Sequence, residues 1–366
     1  MSADLDQHRQ AYAYCAYCPK VCRFACPVSE VTRNETTSTW GKMTEAFLVT
    51  QAKRNLDESG AAALYACTGC MRCRTFCLHQ NEVGFALASA RSLAVDAGLA
   101  PEGALSTIRT FRQHGNPFGG DLAALASRYR ADSPVRYQLF PGCTALARAP
   151  ELVEDALAVC DALSAPAGVC RASARCCGYP LYAAGDIDGF VEHARRIAEA
   201  LKPYPELMVL DPGCAYTFRV VYPRHGIELS TEVKTIYEVL ATHLEHAPQL
   251  ARLPLEAAYH DACKLGRGLG QYDQPRRLLA AAVGEFREAF ESEAEAGCSG
   301  GGGLLPRTMP EASAEIARAV GQRLAPGGQT IVTACPTSRR TFERAGRRSK
   351  DLLSVLRRWL RPRKAS

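Results

Sequence analysis

No stretch of the chain approaches the roughly 18 consecutive apolar residues of a membrane-spanning helix, so any membrane contact is expected to be peripheral or through a partner. The start, MSADLDQHRQAYAYC, lacks a charged segment leading into an apolar one, so export is not expected and a reducing cytosol is. Nucleotide fingerprints are missing too. Gly266, Gly268 and Gly270 in LGRGLGQ lack the spacing and the strand-turn-helix setting of a dinucleotide site. The run Gly300 to Gly303 is followed by Leu304-Leu305-Pro306 and not by the Lys-Ser/Thr pair of a phosphate loop, which leaves a close backbone approach or a tight turn as its use. No flavin or NAD is therefore expected on this chain. The net charge of +6 is modest, and much of it falls near the C-terminus, in Arg347, Arg348, Lys350, Arg357, Arg358, Arg361, Arg363 and Lys364, so nucleic acid is not an expected partner. The closing stretch DLLSVLRRWLRPRKAS reads as a solvated basic tail in preference to a short amphipathic helix docking on a partner or an anionic lipid surface.

What the chain has in excess is cysteine, 17 in 366 residues. In a reducing compartment thiolates usually hold metal rather than disulfides. They fall in three zones, residues 15 to 77, 143 to 214 and 263 to 335. Cys67-Thr-Gly-Cys70-Met-Arg-Cys73-Arg-Thr-Phe-Cys77 has the CxxCxxCxxxC spacing of bacterial cluster ferredoxins, in which three cysteines cap one cubane and the fourth reaches the other. By that rule Cys26, Cys67, Cys70 and Cys73 hold one 4Fe-4S cluster, and Cys15, Cys18, Cys22 and Cys77 hold a second. The first motif, Cys15 to Cys26, carries one extra residue between its second and third cysteines, where the loop must bulge. Pro27 follows Cys26 as in the usual motif, whereas Leu78 takes the place of proline after Cys77. Zinc would prefer paired CxxC or Cys/His sets, and two interleaved four-cysteine runs favour iron-sulfur clusters. His79, Tyr12, Tyr14 and Tyr17 are expected to shield the clusters or lie at the surface.

The second and third zones read as copies of one unit. Cys143 maps to Cys263, Cys176 to Cys298 and Asp211 to Cys335, at offsets of 120, 122 and 124. The β-rich runs VRYQLF, LMVL, LEAAYH and TIVTA each end just before a cysteine motif, and helix-period segments alternate with them, which predicts βα units around a mainly parallel sheet. The fold class is thus α/β: a helical two-cluster ferredoxin-like domain over 1–111, a linker over 112–134 marked by Gly115, Asn116, Pro117, Gly119 and Gly120, two α/β repeats over 135–252 and 253–345, and a basic tail over 346–366.

FPGC at 140–143, CCG at 176–178, YHDAC and KLGR at 259–267 and CSGGGG at 298–303 complete a pattern that resembles a known family. Its members are iron-sulfur proteins with an N-terminal two-cluster domain and two cysteine-rich (CCG) domains, such as the iron-sulfur subunit of glycolate oxidase, the C subunit of anaerobic glycerol-3-phosphate dehydrogenase and the D subunit of heterodisulfide reductase. The family pattern implies five thiolates per repeat: one cysteine, then CCG, then CxxC. The first copy here keeps Cys143, Cys176, Cys177 and Cys214, with Asp211 as a candidate oxygen ligand, and a third iron-sulfur cluster is expected there. The second keeps Cys263, Cys298 and Cys335 but has Ser299 and Ser338 where the pattern has cysteine. Three thiolates suit a 3Fe-4S cluster, a 4Fe-4S cluster with an open iron, or nothing, and the expectation leans to nothing. His260 could complete a ligand set, although anchoring the loop is the more ordinary use. Cys160 and Cys170 read as packing residues. The resemblance implies an electron-transfer subunit that links a flavin-dependent dehydrogenase or other redox partner to a quinone or another carrier. The alternative is a catalytic subunit reducing a disulfide at a repeat-domain cluster, against which the missing thiolates count.

Overall fold

The computed structural model describes residues 3–130 and 135–361. Within residues 3–130 there is no strand. The helices Arg9–Tyr17, Thr39–Thr50, Glu58–Tyr65, Val83–Asp96 and Glu102–His114 carry this domain. Their ends follow local chemistry: Ser38 and Asp57 accept hydrogen bonds from Gly41 and Gly60 N–H as N-caps, and Pro27 occupies the first position of Pro27–Thr32, where a missing N–H costs nothing. The segment expected as a linker contains the end of the helix at His114, a buried Asn116 whose amide spans His114 and Gly120 carbonyls, and the short helix Leu122–Ala126. Residues 131–134 lie outside the described residues.

The first repeat builds β1 (Tyr137–Phe140), β2 (Ala167–Val169), β3 (Glu206–Val209) and β4 (Glu232–Thr235) into a parallel sheet ordered β2-β1-β3-β4. The second builds β5 (Ala257–His260), β6 (Thr330–Thr333) and β7 (Ser349–Asp351), also parallel and ordered β5-β6-β7. The counterpart of β2 is reduced to a single parallel bridge between Ala258 and Arg287. Parallel strands need covering on both faces, and β6, Thr-Ile-Val-Thr, is buried along its whole length. No helix among the described residues is long and apolar enough to cross a membrane.

The C-terminal reading needs correction. Residues 349–360 are not a solvated tail but β7 followed by the helix Leu352–Leu360, which buries Leu352, Leu353, Val355, Leu356, Trp359 and Leu360. Its apolar stripe outweighs its arginines, which stay at the edge: Arg357 Nη1 bonds Asp155 Oδ1 at 2.6 Å, and Arg358 is exposed. The second repeat therefore runs to residue 360. Arg363 and Lys364 lie outside the described residues. The last helix of each repeat packs on the other repeat: Ile236–Thr242 against Asp273–Val283, and Leu352–Leu360 against Glu151–Ala162. This reciprocal exchange joins the two sheets into one body.

Candidate iron-sulfur centres

The motifs at Cys143, Asp211, Cys263 and Cys335 each follow the C-terminal end of a strand, where parallel sheets open into loops. In the dicluster domain the cysteines fall into two neighbourhoods. Cys15 is surrounded by Cys18, Cys22 and Cys77. Cys26, Cys67 and Cys73 surround the ammonium of Lys42, and Cys73 lies among Cys70, Cys67 and Cys26. The extra residue of the first motif is absorbed at Lys20, whose φ of +67° is the bulge the spacing requires. The Asn81 amide donates to Cys15 Sγ at 3.1 Å and Gly69 N–H to Cys67 Sγ at 3.4 Å. Tyr14 stacks on His79, while Tyr12 is buried with its hydroxyl donating to Ala86 O.

Burial and neighbouring sulfurs make Cys15, Cys22 and Cys73 poor acids on their own. Burial, opposed by the Asn81 amide and reinforced by the sulfurs of Cys22, Cys77 and Cys18, pushes the Cys15 thiol up to about 12. Burial and then Cys70, Cys67 and Cys26 push Cys73 well above its ordinary value. Such a set ionises together only around positive charge, which iron supplies. Lys42 feels the same sulfurs: burial alone would lower its pKa, yet Cys26, Cys67 and Cys73 raise it. Among the described residues no three His, Cys, Asp or Glu side chains close on a point at the range of a single ion. A cubane spreads its thiolates wider than the 2.3 Å bonds of zinc, roughly, allow.

In the first repeat all four cysteines come together. Cys143 Sγ and Cys176 Sγ are 3.3 Å apart, Cys177 hydrogen-bonds Cys176 and Cys214, and none of the four is more than 6% exposed. Gly142, at φ +84°, lets the loop pass: a Cβ there would stand 3.0 Å from Cys214 Sγ. Asp211 is beside them, with Oδ1 accepting from Gly213 N–H at 2.8 Å as a helix cap, and burial raises its pKa to about 6. Tyr222 and His193 hold the CCG turn through the Cys177 and Cys176 carbonyls.

The second repeat differs. Ser299 Oγ and Ser338 Oγ are 3.0 Å apart and satisfy one another. His260 has both ring nitrogens engaged, Nδ1 with Thr333 Oγ1 and Nε2 with Gly297 O, so it anchors its loop. Cys298 turns to the dicluster domain, within hydrogen-bond reach of Cys70, with Cys263 nearby. Cys335 lies toward Asp211 and Cys263. The glycine run closes on the Cys67 loop: a Cβ on Gly302 or Gly303 would collide with Thr68 O or Cys67 O. Cys160 and Cys170 are fully buried in packing positions.

Several site residues were not legible as such. Lys42, Arg91, Lys264 and Arg267 all reach carbonyls between Ala66 and Cys70, and Tyr179 stands between Cys263, Cys67 and Cys177. The signal available was a single charge in an otherwise apolar helix, as at Arg91 in FALASARSLAV, and the KLGR run after YHDAC.

A 4Fe-4S dicluster domain model matches residues 11–81, and a cysteine-rich domain model matches twice, over 137–219 and 257–342. Similar proteins include the B subunit of fumarate reductase (CoM/CoB) from Methanothermobacter marburgensis, 27% identical over 86% of this chain and 64% of the relative. The D subunit of dihydromethanophenazine:CoB-CoM heterodisulfide reductase from Methanosarcina barkeri is 28% identical over 76% of this chain and 72% of its own. EtfAB:quinone oxidoreductase of Syntrophomonas wolfei is 25% identical over 76% and 43%. The chain thus spans under two thirds of the first of these relatives.

Proposed function

We propose, on the premise that the chain is an iron-sulfur protein joining one 4Fe-4S dicluster domain to two cysteine-rich domains, that it is the electron-transfer subunit of a larger redox assembly. Bound clusters supply one-electron storage. Cys15, Cys18, Cys22 and Cys77 would hold one, Cys26, Cys67, Cys70 and Cys73 the second, and Cys143, Cys176, Cys177 and Cys214 a third. The partner is a flavin-dependent dehydrogenase or another redox protein, and the acceptor a quinone or further carrier. The names of the relatives favour this, since a quinone oxidoreductase and reductase subunits are among them.

The observation that carries the reading is where the chain exposes apolar surface. Tyr17, Val21, Phe24 and Leu78 are 56–94% exposed, and all are within or beside the two cysteine runs that supply the Cys15 group. Large exposed side chains around a redox centre mark a docking face. A catalytic disulfide reductase is less well supported, because the four sulfurs of the first repeat are too buried for a disulfide to reach them. The test is reduction of the anaerobically purified chain by a flavoprotein dehydrogenase, followed by its visible absorbance. Bleaching that is slowed at least about tenfold by Phe24→Asp and Leu78→Asp together supports the reading, since a buried charge at an interface costs several kcal/mol. Turnover of a disulfide with an artificial donor and no flavoprotein would overturn it.

A further inference from the structure

The carbonyls of one short loop are gripped by four cations. Lys42 Nζ donates to Ala66 O and lies 3.4 Å from Cys26 Sγ. Arg91 Nη2 donates to Cys67 O at 3.2 Å, Lys264 Nζ to Gly69 O at 3.0 Å and Arg267 Nε to Cys70 O at 2.7 Å. Lys42, Arg91 and Arg267 are 1%, 3% and 7% exposed. Among the described residues none of the four makes an ion pair with a carboxylate, and Arg267 Nη2 is buried with no hydrogen-bond partner. Neutral donors would satisfy those carbonyls as well. Burying a cation without a counter-charge is costly, so three buried together, with Lys264 beside them, call for an anion between them. A cubane with four thiolates is that anion: negative when oxidised, and more negative by one charge after taking up an electron.

The neighbourhood of Cys15, Cys18, Cys22 and Cys77 is built otherwise. Its sulfur donors are the neutral Asn81 amide and the Thr39 hydroxyl. The cations nearby are engaged elsewhere, Lys20 over the Trp40 ring at 3.8 Å and Arg23 with Glu35.

We propose that Lys42, Arg91, Lys264 and Arg267 form a cationic cradle that raises the reduction potential of the cluster held by Cys26, Cys67, Cys70 and Cys73 above that of its neighbour, so that a single reducing electron settles there. The inference rests on the two-cluster reading above. Each cation attracts the reduced form more than the oxidised one, and in a buried site that attraction is weakly screened. Two of the four come from the second cysteine-rich repeat, so that repeat sets the potential of a centre it does not ligate.

The test is an anaerobic dithionite titration of the full chain, following the electron paramagnetic resonance signals of the reduced clusters. The signal lost in Cys73→Ser identifies the cradled centre. Lys264→Met is expected to lower the midpoint of that signal and leave those of the other clusters in place, and Lys42→Met to do the same more strongly, while Lys264→Arg retains the wild-type midpoint. Midpoints unmoved, or all moved equally, overturn the cradle. If Lys42→Met loses its iron, Lys264→Met decides, since Lys264 is partly exposed and grips only Gly69 O and the faces of Tyr179 and Tyr216. Failure of both Lys264 variants to load also counts against it. Failure of the underlying two-cluster reading looks different: no signals and no iron in the wild type.

Discussion

The two cysteine-rich repeats each build a parallel sheet and exchange their last helices, yet the first gathers four thiols and the second does not. In the first, Cys143, Cys176, Cys177 and Cys214 form a closed buried set. In the second, Ser299 and Ser338 bond each other, His260 is tied to the strand framework, and Cys298 faces Cys70 of the dicluster domain. The fold does not depend on a full thiolate set. What the second repeat directs at the Cys67–Cys70 loop is Gly302, Gly303 and the Lys264 and Arg267 side chains. One copy gathers four buried thiols, and its twin lends side chains to the wall of the neighbouring dicluster domain.

The largest expected effect comes from undoing that divergence. Ser299→Cys with Ser338→Cys returns five thiolates to the second repeat and is expected to add up to about four iron atoms per chain, a cubane's worth, measured by iron and acid-labile sulfide. An unchanged count would mean that serine was not what closed the site.

The exchange of terminal helices should be symmetrical in energy. Leu240 and Leu356 are both fully buried in the helices that cross between repeats. Each replaced by alanine is expected to destabilise by about 2–5 kcal/mol in chemical denaturation. A tail-like Leu356→Ala, with no loss, would break the comparison.

The caps of those two helices differ, so of the two only the second repeat's cap titrates. Thr235 heads the first with a neutral hydroxyl in a capping box with Glu238, whereas Asp351 heads the second, its Oδ1 accepting from Leu353 N–H at 3.0 Å and Oδ2 finding no donor. Burial, against that N–H bond, raises Asp351 to about 7. The folded state then holds the proton more tightly than the unfolded chain, so stability grows as pH falls from about 7 toward 4 and is lost as pH rises through 7, at up to roughly 1.4 kcal/mol per pH unit. Asp351→Asn is expected to remove this slope and to melt higher than wild type at pH 8. Smaller still is Arg357→Ala, expected to cost roughly 1–2 kcal/mol because buried Asp155 keeps only its Ser354 bond.

Much of this was legible in residue order. The strands before Cys143, Asp211, Cys263 and Cys335 announce themselves by β-branched and apolar runs, because a parallel strand is buried on both faces. The final helix reads as a tail because Arg357 and Arg358 within it and the basic run after it draw attention, while the stripe from Leu352 to Leu360 matters only against a partner surface in the other repeat. The cradle was hidden for a related reason: Lys42 and Arg91 meet backbone carbonyls, which leave no pattern in a sequence. Spacing pointed to which cysteines matter in each repeat, but the approach of Cys298 to Cys70 depends on how domains pack.

The contrast between the repeats is tested most directly by iron and acid-labile sulfide in anaerobically purified full-length chain, comparing Cys176→Ser with Cys298→Ser. Expected are about twelve iron atoms in the wild type, about eight in Cys176→Ser and an unchanged count in Cys298→Ser. A wild type near eight that Cys176→Ser leaves untouched, or a fall in Cys298→Ser alone, would contradict it.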